Sequence, residues 1–227
     1  PLRLPTAYLS FQPFDSHEVS SLPFDKNGYI TFGCMNNPSK INKYVVSWWA
    51  EILKGVPGSK LLMRYVLFGD PLVRERVAKM FRECGIHPER FEMLPGGKDF
   101  VAAYNEVDIA LDTFPYNGTT TTCESLWMGV PVVTIRGDRF VARVGASLLT
   151  HTGLGNFVAE SPEQYIALAV SLANSTAPLA NLRRNLRTHL SSTPVYNAQL
   201  FTESLEKAYI QAFERWCDES NPVLPAA

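Results

Sequence analysis

Residues 108–134, DIALDTFPYNGTTTTCESLWMGVPVVT, constrain the fold of this chain more than any other stretch. The ends of this segment, 108–111 and 132–134, are short apolar runs of the kind that form buried parallel strands. Between them Pro115, Asn117 and Gly118 permit a sharp turn, and the threonines Thr119, Thr120, Thr121 and Thr122 stand where a helix must begin. β-Branched hydroxyl residues are poor helix interior but good N-caps. The cap is therefore expected at Thr119 or Thr120, with a helix to Met128 that Gly129 and Pro131 end. Such a βαβ unit brings free backbone N–H groups and hydroxyls to the carboxyl end of a parallel strand, where open α/β sheets bind anions such as phosphate.

The same alternation runs through the chain. Residues 28–34 (GYITFGC), 61–65 and 91–94 read as strands, and 43–54, 71–84 and 99–107 as helices. The helix at 43–54 carries Val45, Val46, Trp48, Trp49, Ile52 and Leu53 on one apolar face. Trp48, Trp49 and Trp127 are expected in the core. Further on, 143–149 reads as a helix and 156–158 as a last short strand. Ser161, Pro162, Glu163 and Gln164 form an expected capping box that opens a helix to about Asn174. Two amphipathic helices follow at 178–190 and 197–216, the second with Leu200, Leu205, Tyr209 and Phe213 on its apolar face. Together these elements predict an α/β fold, a Rossmann-like doubly wound parallel sheet with C-terminal helices. The expected organisation is an extended, proline-punctuated connector from an upstream domain at 1–27, a Rossmann-like domain at 28–190 and a helical tail at 191–227.

At 227 residues and 46% apolar, the chain can bury a large core. A net charge of −1 gives no reason to expect nucleic acid or a membrane surface as partner. No stretch approaches the roughly 20 apolar residues of a membrane span. Cys34, Cys84, Cys123 and Cys217 have no CxxC spacing, so a reducing compartment, the cytoplasm, is expected. There is no G-x-G-x-x-G after the first strand, no Walker motif, no H-E-x-x-H and no G-x-S-x-G. What remains is a phosphate site built without those signatures, with no metal expected.

Four segments, GYITFGCMNNPSKI, VDIALDTFPYNGTTTTCESLWMGVPVVT, RVGASLLTHTGLGNFVA and SSTPVYNAQLFTESLEKAY, resemble the C-terminal catalytic half of the protein O-GlcNAc transferases and their SPINDLY relatives. The resemblance runs from about Gly28 to Trp216. It implies the C-terminal half of a GT-B glycosyltransferase, inverting and metal-independent, taking a sugar from a nucleoside diphosphate to Ser or Thr of proteins. By position in the family's motifs, Lys40 contacts the diphosphate, Thr120 and Thr121 the β-phosphate side, and Glu124 the ribose. The backbone of Leu94, Pro95 and Gly96 meets the base, and Thr119 and Asn37 join the substrate set. Where many relatives carry histidine this chain has Phe100, and where the animal enzymes have histidine before the threonine pair it has Thr119. The second departure is shared with SPINDLY-like and bacterial members.

The resemblance implies UDP-GlcNAc as donor, with GDP-fucose as the alternative, and a protein acceptor. It also implies that the catalytic histidine and tetratricopeptide repeats belong to an upstream half, so this chain alone is expected to bind nucleotide but turn over slowly or not at all. A nucleotide-binding module without catalysis is the competing reading. The joint presence of Lys40, Thr120, Thr121 and Glu124 weighs against it, and a dehydrogenase lacks its glycine fingerprint. Without the resemblance, Lys40 would read as surface lysine and Glu124 as a helix-dipole partner. Arg143, His151, His87 and His189 carry no assigned role.

Overall fold

The computed structural model describes residues 4–13, 17–97 and 99–220. In chain order the elements are α1 (Pro23–Asn27), β1 (Thr31–Cys34), α2 (Lys43–Gly55), β2 (Lys60–Arg64), α3 (Pro71–Glu83), β3 (Phe91–Leu94), β4 (Ile109–Leu111), α4 (Thr120–Trp127), β5 (Val132–Ile135), α5 (Val144–His151), β6 (Val158–Ala159), α6 (Pro162–Ala173), α7 (Thr176–Leu190) and α8 (Ala198–Ser220). The six strands form one parallel sheet in the order β3-β2-β1-β4-β5-β6. This is the doubly wound arrangement expected from the alternation of strands and helices.

Side chains alternate across the strands into cores on both faces. Phe32, Cys34, Leu61, Met63, Ile109, Leu111, Val133 and Ile135 meet α2, α3 and α6 on one side, around the fully buried Trp49. On the other side Val132 packs with Cys123, Leu126 and Leu148, while Leu62 packs with Tyr104, Val107 and Met128. Gly33 is required there: a Cβ would come within 2.5 Å of both Val107 methyls, so only glycine lets the turn before β4 settle on the sheet.

Several boundaries differ from expectation for visible reasons. β1 starts at Thr31 rather than Gly28, because Gly28, at φ 73°, closes α1 with its N–H bonded to Phe24 O. The helix expected at 99–107 is a 3₁₀ segment, Val101–Glu106. The capping box is offset. Ser161 Oγ accepts from Gln164 N, but Gln164 Oε1 reaches past Ser161 to Glu160 N at 2.8 Å.

The segment expected to be an extended connector contains the helical turn α1, and Ala7 and Leu22 are buried against the domain. Arg183 fastens this arm, donating to Ser20 O and Val107 O, while Asp108 accepts from Phe24 N and Thr31 N. Parts of the expected connector at 1–3 and 14–16, and of the expected tail at 221–227, lie outside the described residues. On α8 the face expected to pack is mostly open: Tyr209 and Phe213 are exposed, Leu200 is 39% exposed and Leu205 is half-buried, and the neighbouring Ile210 and Trp216 are exposed as well. Among the described residues no helix is long and apolar enough to cross a membrane.

Candidate functional site: a cationic crevice at the switch point

β1 and β4 are neighbours at the point where the strand order reverses, and the loops leaving their carboxyl ends face each other there. The loop after β1 ends in a 3₁₀ turn, Pro38–Lys40. Asn37 caps it, its Oδ1 accepting from Ser39 N at 2.9 Å, and its Nδ2 lies 3.4 Å from Tyr65 Oη. Its carboxamide is thus engaged in shaping the turn that delivers Lys40.

Lys40 is half-buried and tethered. Its Nζ donates to Asn117 O at 2.9 Å and to Asn36 Oδ1 at 3.2 Å, and lies 4.1 Å from the ring centroid of Tyr116. Burial lowers its pKa, and the nearby Asp112 opposes that shift. The loop after β4 contains the cis Phe114–Pro115 bond and is organised by Asp112, which is 3% exposed. Asp112 Oδ1 accepts from Thr113 N at 2.8 Å and Gly118 N at 2.7 Å, and Oδ2 accepts from Thr134 Oγ1 at 2.7 Å. Burial raises its pKa to about 6, against the opposing pull of these donors and Lys40. A carboxylate beside a strand buried on both faces must find such partners, and that requirement was the available sequence signal for Asp112.

The four threonines sit differently. Thr119 is the N-cap of α4 by position, yet its side chain makes no capping bond. Thr120 is exposed, Thr121 Oγ1 donates to Asn36 Oδ1 at 3.1 Å, and Thr122 Oγ1 donates to Gly118 O at 3.0 Å. The first helical bond of α4 runs from Cys123 N to Thr119 O. The amides of Thr120, Thr121 and Thr122 therefore have no acceptor among the described residues, at the positive end of the helix dipole. The hydroxyl cap expected at Thr119 or Thr120 is thus not formed.

Glu124, in the second turn of α4, is 8% exposed; its Oε2 accepts from Tyr104 Oη at 3.0 Å, and burial raises its pKa. Leu94, Pro95 and Gly96 leave the carboxyl end of β3 on the same edge of the sheet. Leu94 O accepts from Tyr65 N, and Gly96 lies so close to Val66 that a Cβ would sit 3.1 Å from its backbone nitrogen. Lys40, Thr121 and Gly118 are thus brought together, with Thr120 and Glu124 on the same helix and 94–96 farther along the edge. Asn36, Asp112, Asn117 and Tyr104 complete the cluster and were not singled out from the sequence. Arg143 is exposed at the start of α5, while His151 and His189 bond to Ser147 O and Thr152 O. Among the described residues no group of three His, Cys, Asp or Glu side chains is placed to hold a metal ion.

Comparison with known proteins agrees with this architecture. The chain is 41% identical over 227 residues to the probable UDP-N-acetylglucosamine–peptide N-acetylglucosaminyltransferase SPINDLY of Petunia hybrida, covering 98% of this chain and 24% of that protein. It is 32% identical over 205 residues to the probable transferase SEC of Arabidopsis thaliana, covering 88% of this chain and 20% of that one. It therefore spans about a quarter or less of the length of these curated relatives. Among solved structures, a lysine-to-methionine mutant of the Thermobaculum terrenum O-GlcNAc transferase superposes with a TM-score of 0.86 at 36% identity, over 96% of this chain and 42% of that one. Anabaena Alr3699/HepE, solved with UDP and glucose, shares the fold at a TM-score of 0.57 and 16% identity, over 81% of this chain and 51% of that one. The profile of glycosyl transferase family 41 matches residues 16–205, and the chain belongs to that family.

Proposed function

We propose that this chain is the donor-binding half of an inverting, metal-independent glycosyltransferase that moves GlcNAc from UDP-GlcNAc to Ser or Thr hydroxyls of proteins. The observation that carries this reading is the meeting of a tethered ammonium, Lys40, with the free amides and hydroxyls at the start of α4, across the switch point of a parallel sheet. A diphosphate bound there has its negative charge met by Lys40 and by the amides of Thr120, Thr121 and Thr122. Residues 94–96 leave β3, two strands from β1, which is about 10 Å at ordinary strand spacing and suits a base attached to that diphosphate. Glu124 has one oxygen held by Tyr104 and the other available to ribose hydroxyls.

In transfer the acceptor oxygen attacks the anomeric carbon and the bond to the diphosphate breaks. The acceptor proton passes to a base that this reading assigns to the remainder of the protein. Charge grows on the departing diphosphate, so Lys40 and the α4 donors interact more strongly with the transition state than with the intact donor. GDP-fucose is the second donor reading. Thr119 does not decide between the two donors, since SPINDLY-like and bacterial members alike lack the histidine that animal-type members have there.

The test is thermal unfolding of this chain with UDP and with GDP. At about 100 times Kd the bound nucleotide adds about 2.7 kcal/mol, and for a chain of this size roughly 5–10 °C. Chelation with EDTA leaves the shift unchanged. If neither nucleotide raises Tm at millimolar concentration, the donor-site reading is wrong; if EDTA abolishes the shift, metal independence is wrong.

A further inference from the structure

We propose that Asn36 is the positioning residue of the donor site: its carboxamide oxygen gathers the Lys40 ammonium and the Thr121 hydroxyl, and Asp112 dictates which way that carboxamide faces. The proposal rests on the donor-site reading above. Asn36 is 6% exposed and carried no assigned role among the residues read from the sequence. Its Oδ1 is the common acceptor for Lys40 Nζ at 3.2 Å and Thr121 Oγ1 at 3.1 Å, joining the loop after β1 to the helix after β4. Its Nδ2 faces Asp112 Oδ1 at 3.4 Å.

An amide can be turned over with little change in shape, so something must select the orientation. An ionised carboxylate only accepts and an ammonium only donates. With Asp112 on one side and Lys40 on the other, the NH₂ must face Asp112 and the oxygen must face Lys40. The reversed amide would set donor against donor and acceptor against acceptor between two buried side chains. Asn36 and Asn117 together occupy two of the three Lys40 N–H groups, leaving one for a phosphate oxygen. Gly118 keeps this junction tight, since a Cβ there would come within 3.0 Å of Asn36 Oδ1.

The titratable groups facing Asp112 are Lys40 from the turn after β1, Cys34 from β1 and Tyr165 from α6. Burial pushes the Cys34 thiol up to about 12 and the Tyr165 phenol well above its usual range. Both are therefore neutral at physiological pH, and Lys40 is the charged neighbour of Asp112.

Asn36→Asp tests the orientation because a protonated carboxyl group can imitate the amide. Its O–H would donate to Asp112 and its carbonyl oxygen would accept from Lys40 and Thr121. When both carboxyl groups are ionised they repel and the junction opens. UDP binding by this chain is measured by calorimetry at pH 8 and pH 6.8 for the unchanged protein, Asn36→Ala and Asn36→Asp, with circular dichroism on each. The lower pH stays above the Asp112 value of about 6, while like-charge repulsion in Asn36→Asp lets the carboxyl pair take up its one shared proton there. At pH 8 both variants bind about tenfold more weakly, the size of one lost hydrogen bond to a charged group. At pH 6.8 Asn36→Asp returns to within about threefold of the unchanged chain and Asn36→Ala stays weak. Should Asn36→Ala not fold, the gain in Asn36→Asp affinity on acidification, relative to the unchanged chain, is the readout. Wild-type affinity in Asn36→Ala, or no relative recovery of Asn36→Asp at pH 6.8, overturns the proposal while leaving the donor site standing. An unchanged chain that binds neither UDP nor GDP removes the donor site and this role together.

Discussion

Gly118→Ala is a sharp test of how the two loops meet. Gly118 does not have a positive φ, so the cost of a side chain there is steric rather than torsional. A methyl group at this position overlaps Thr121 Oγ1 and comes within 3.0 Å of both Asn36 Oδ1 and Thr122 Oγ1. Overpacking of this kind costs about 1–3 kcal/mol, and turning Thr121 away forfeits its bond to Asn36, about 0.5–1.5 kcal/mol. The expected destabilisation is about 2–4 kcal/mol, a fall in Tm of roughly 4–16 °C for a domain of this size. UDP affinity falls as well, because the displaced atoms belong to the phosphate site. Thr121→Ala removes the worst overlap, so the double variant Gly118→Ala/Thr121→Ala is more stable than the sum of the single changes by about 1 kcal/mol. Urea unfolding of the four proteins measures the cycle, with nucleotide calorimetry alongside. A Gly118→Ala chain with unchanged Tm and UDP affinity, or strict additivity in the cycle, refutes the packing described for this junction.

In the full-length protein, Lys40→Met lowers kcat about a hundredfold while changing donor Kd far less, the loss expected when one preorganised donor to developing charge is removed; single-turnover transfer with calorimetry separates the two. Arg183→Met strands the buried carbonyl of Val107 at a cost of about 1–3 kcal/mol and frees the part-buried carbonyl of Ser20; urea unfolding measures this loss, and an unchanged midpoint contradicts the fastening role of Arg183. Asp112, Asp108 and Glu124 have folded-state pKa values above their ordinary range, all chiefly through burial. The folded chain therefore binds their protons more tightly than the unfolded chain, and stability rises as pH falls from about 7.5 towards 5, through the Asp112 value of about 6. Urea midpoints across that window check the sign, and a steady decrease on acidification contradicts it.

Much of the site was legible because its chemistry is local. Pro115, Asn117, Gly118 and the threonine run announce a turn into a helix start, and α4 begins at Thr120 as that pattern requires. The apolar runs locate the strands to within a few residues, and the period of α2 identifies the face that enters the core. The apolar face of α8 was equally legible, but a hydrophobic pattern does not say whether anything in the same chain covers it.

Tertiary structure decided which of these local pieces meet. Pairing of β1 with β4, rather than with β2 alone, sets Lys40 against Asn117 and Asn36 against Asp112 across separations of 77 and 76 residues. Within the loop after β1, the Asn37 carboxamide closes onto Ser39 N. A propensity or motif describes the few residues that share one stretch of backbone. A buried polar group must find its partners wherever the fold brings donors and acceptors within reach, so the donors in this crevice follow from the sequence, while the Asn36–Asp112 junction that aims them follows from strand order.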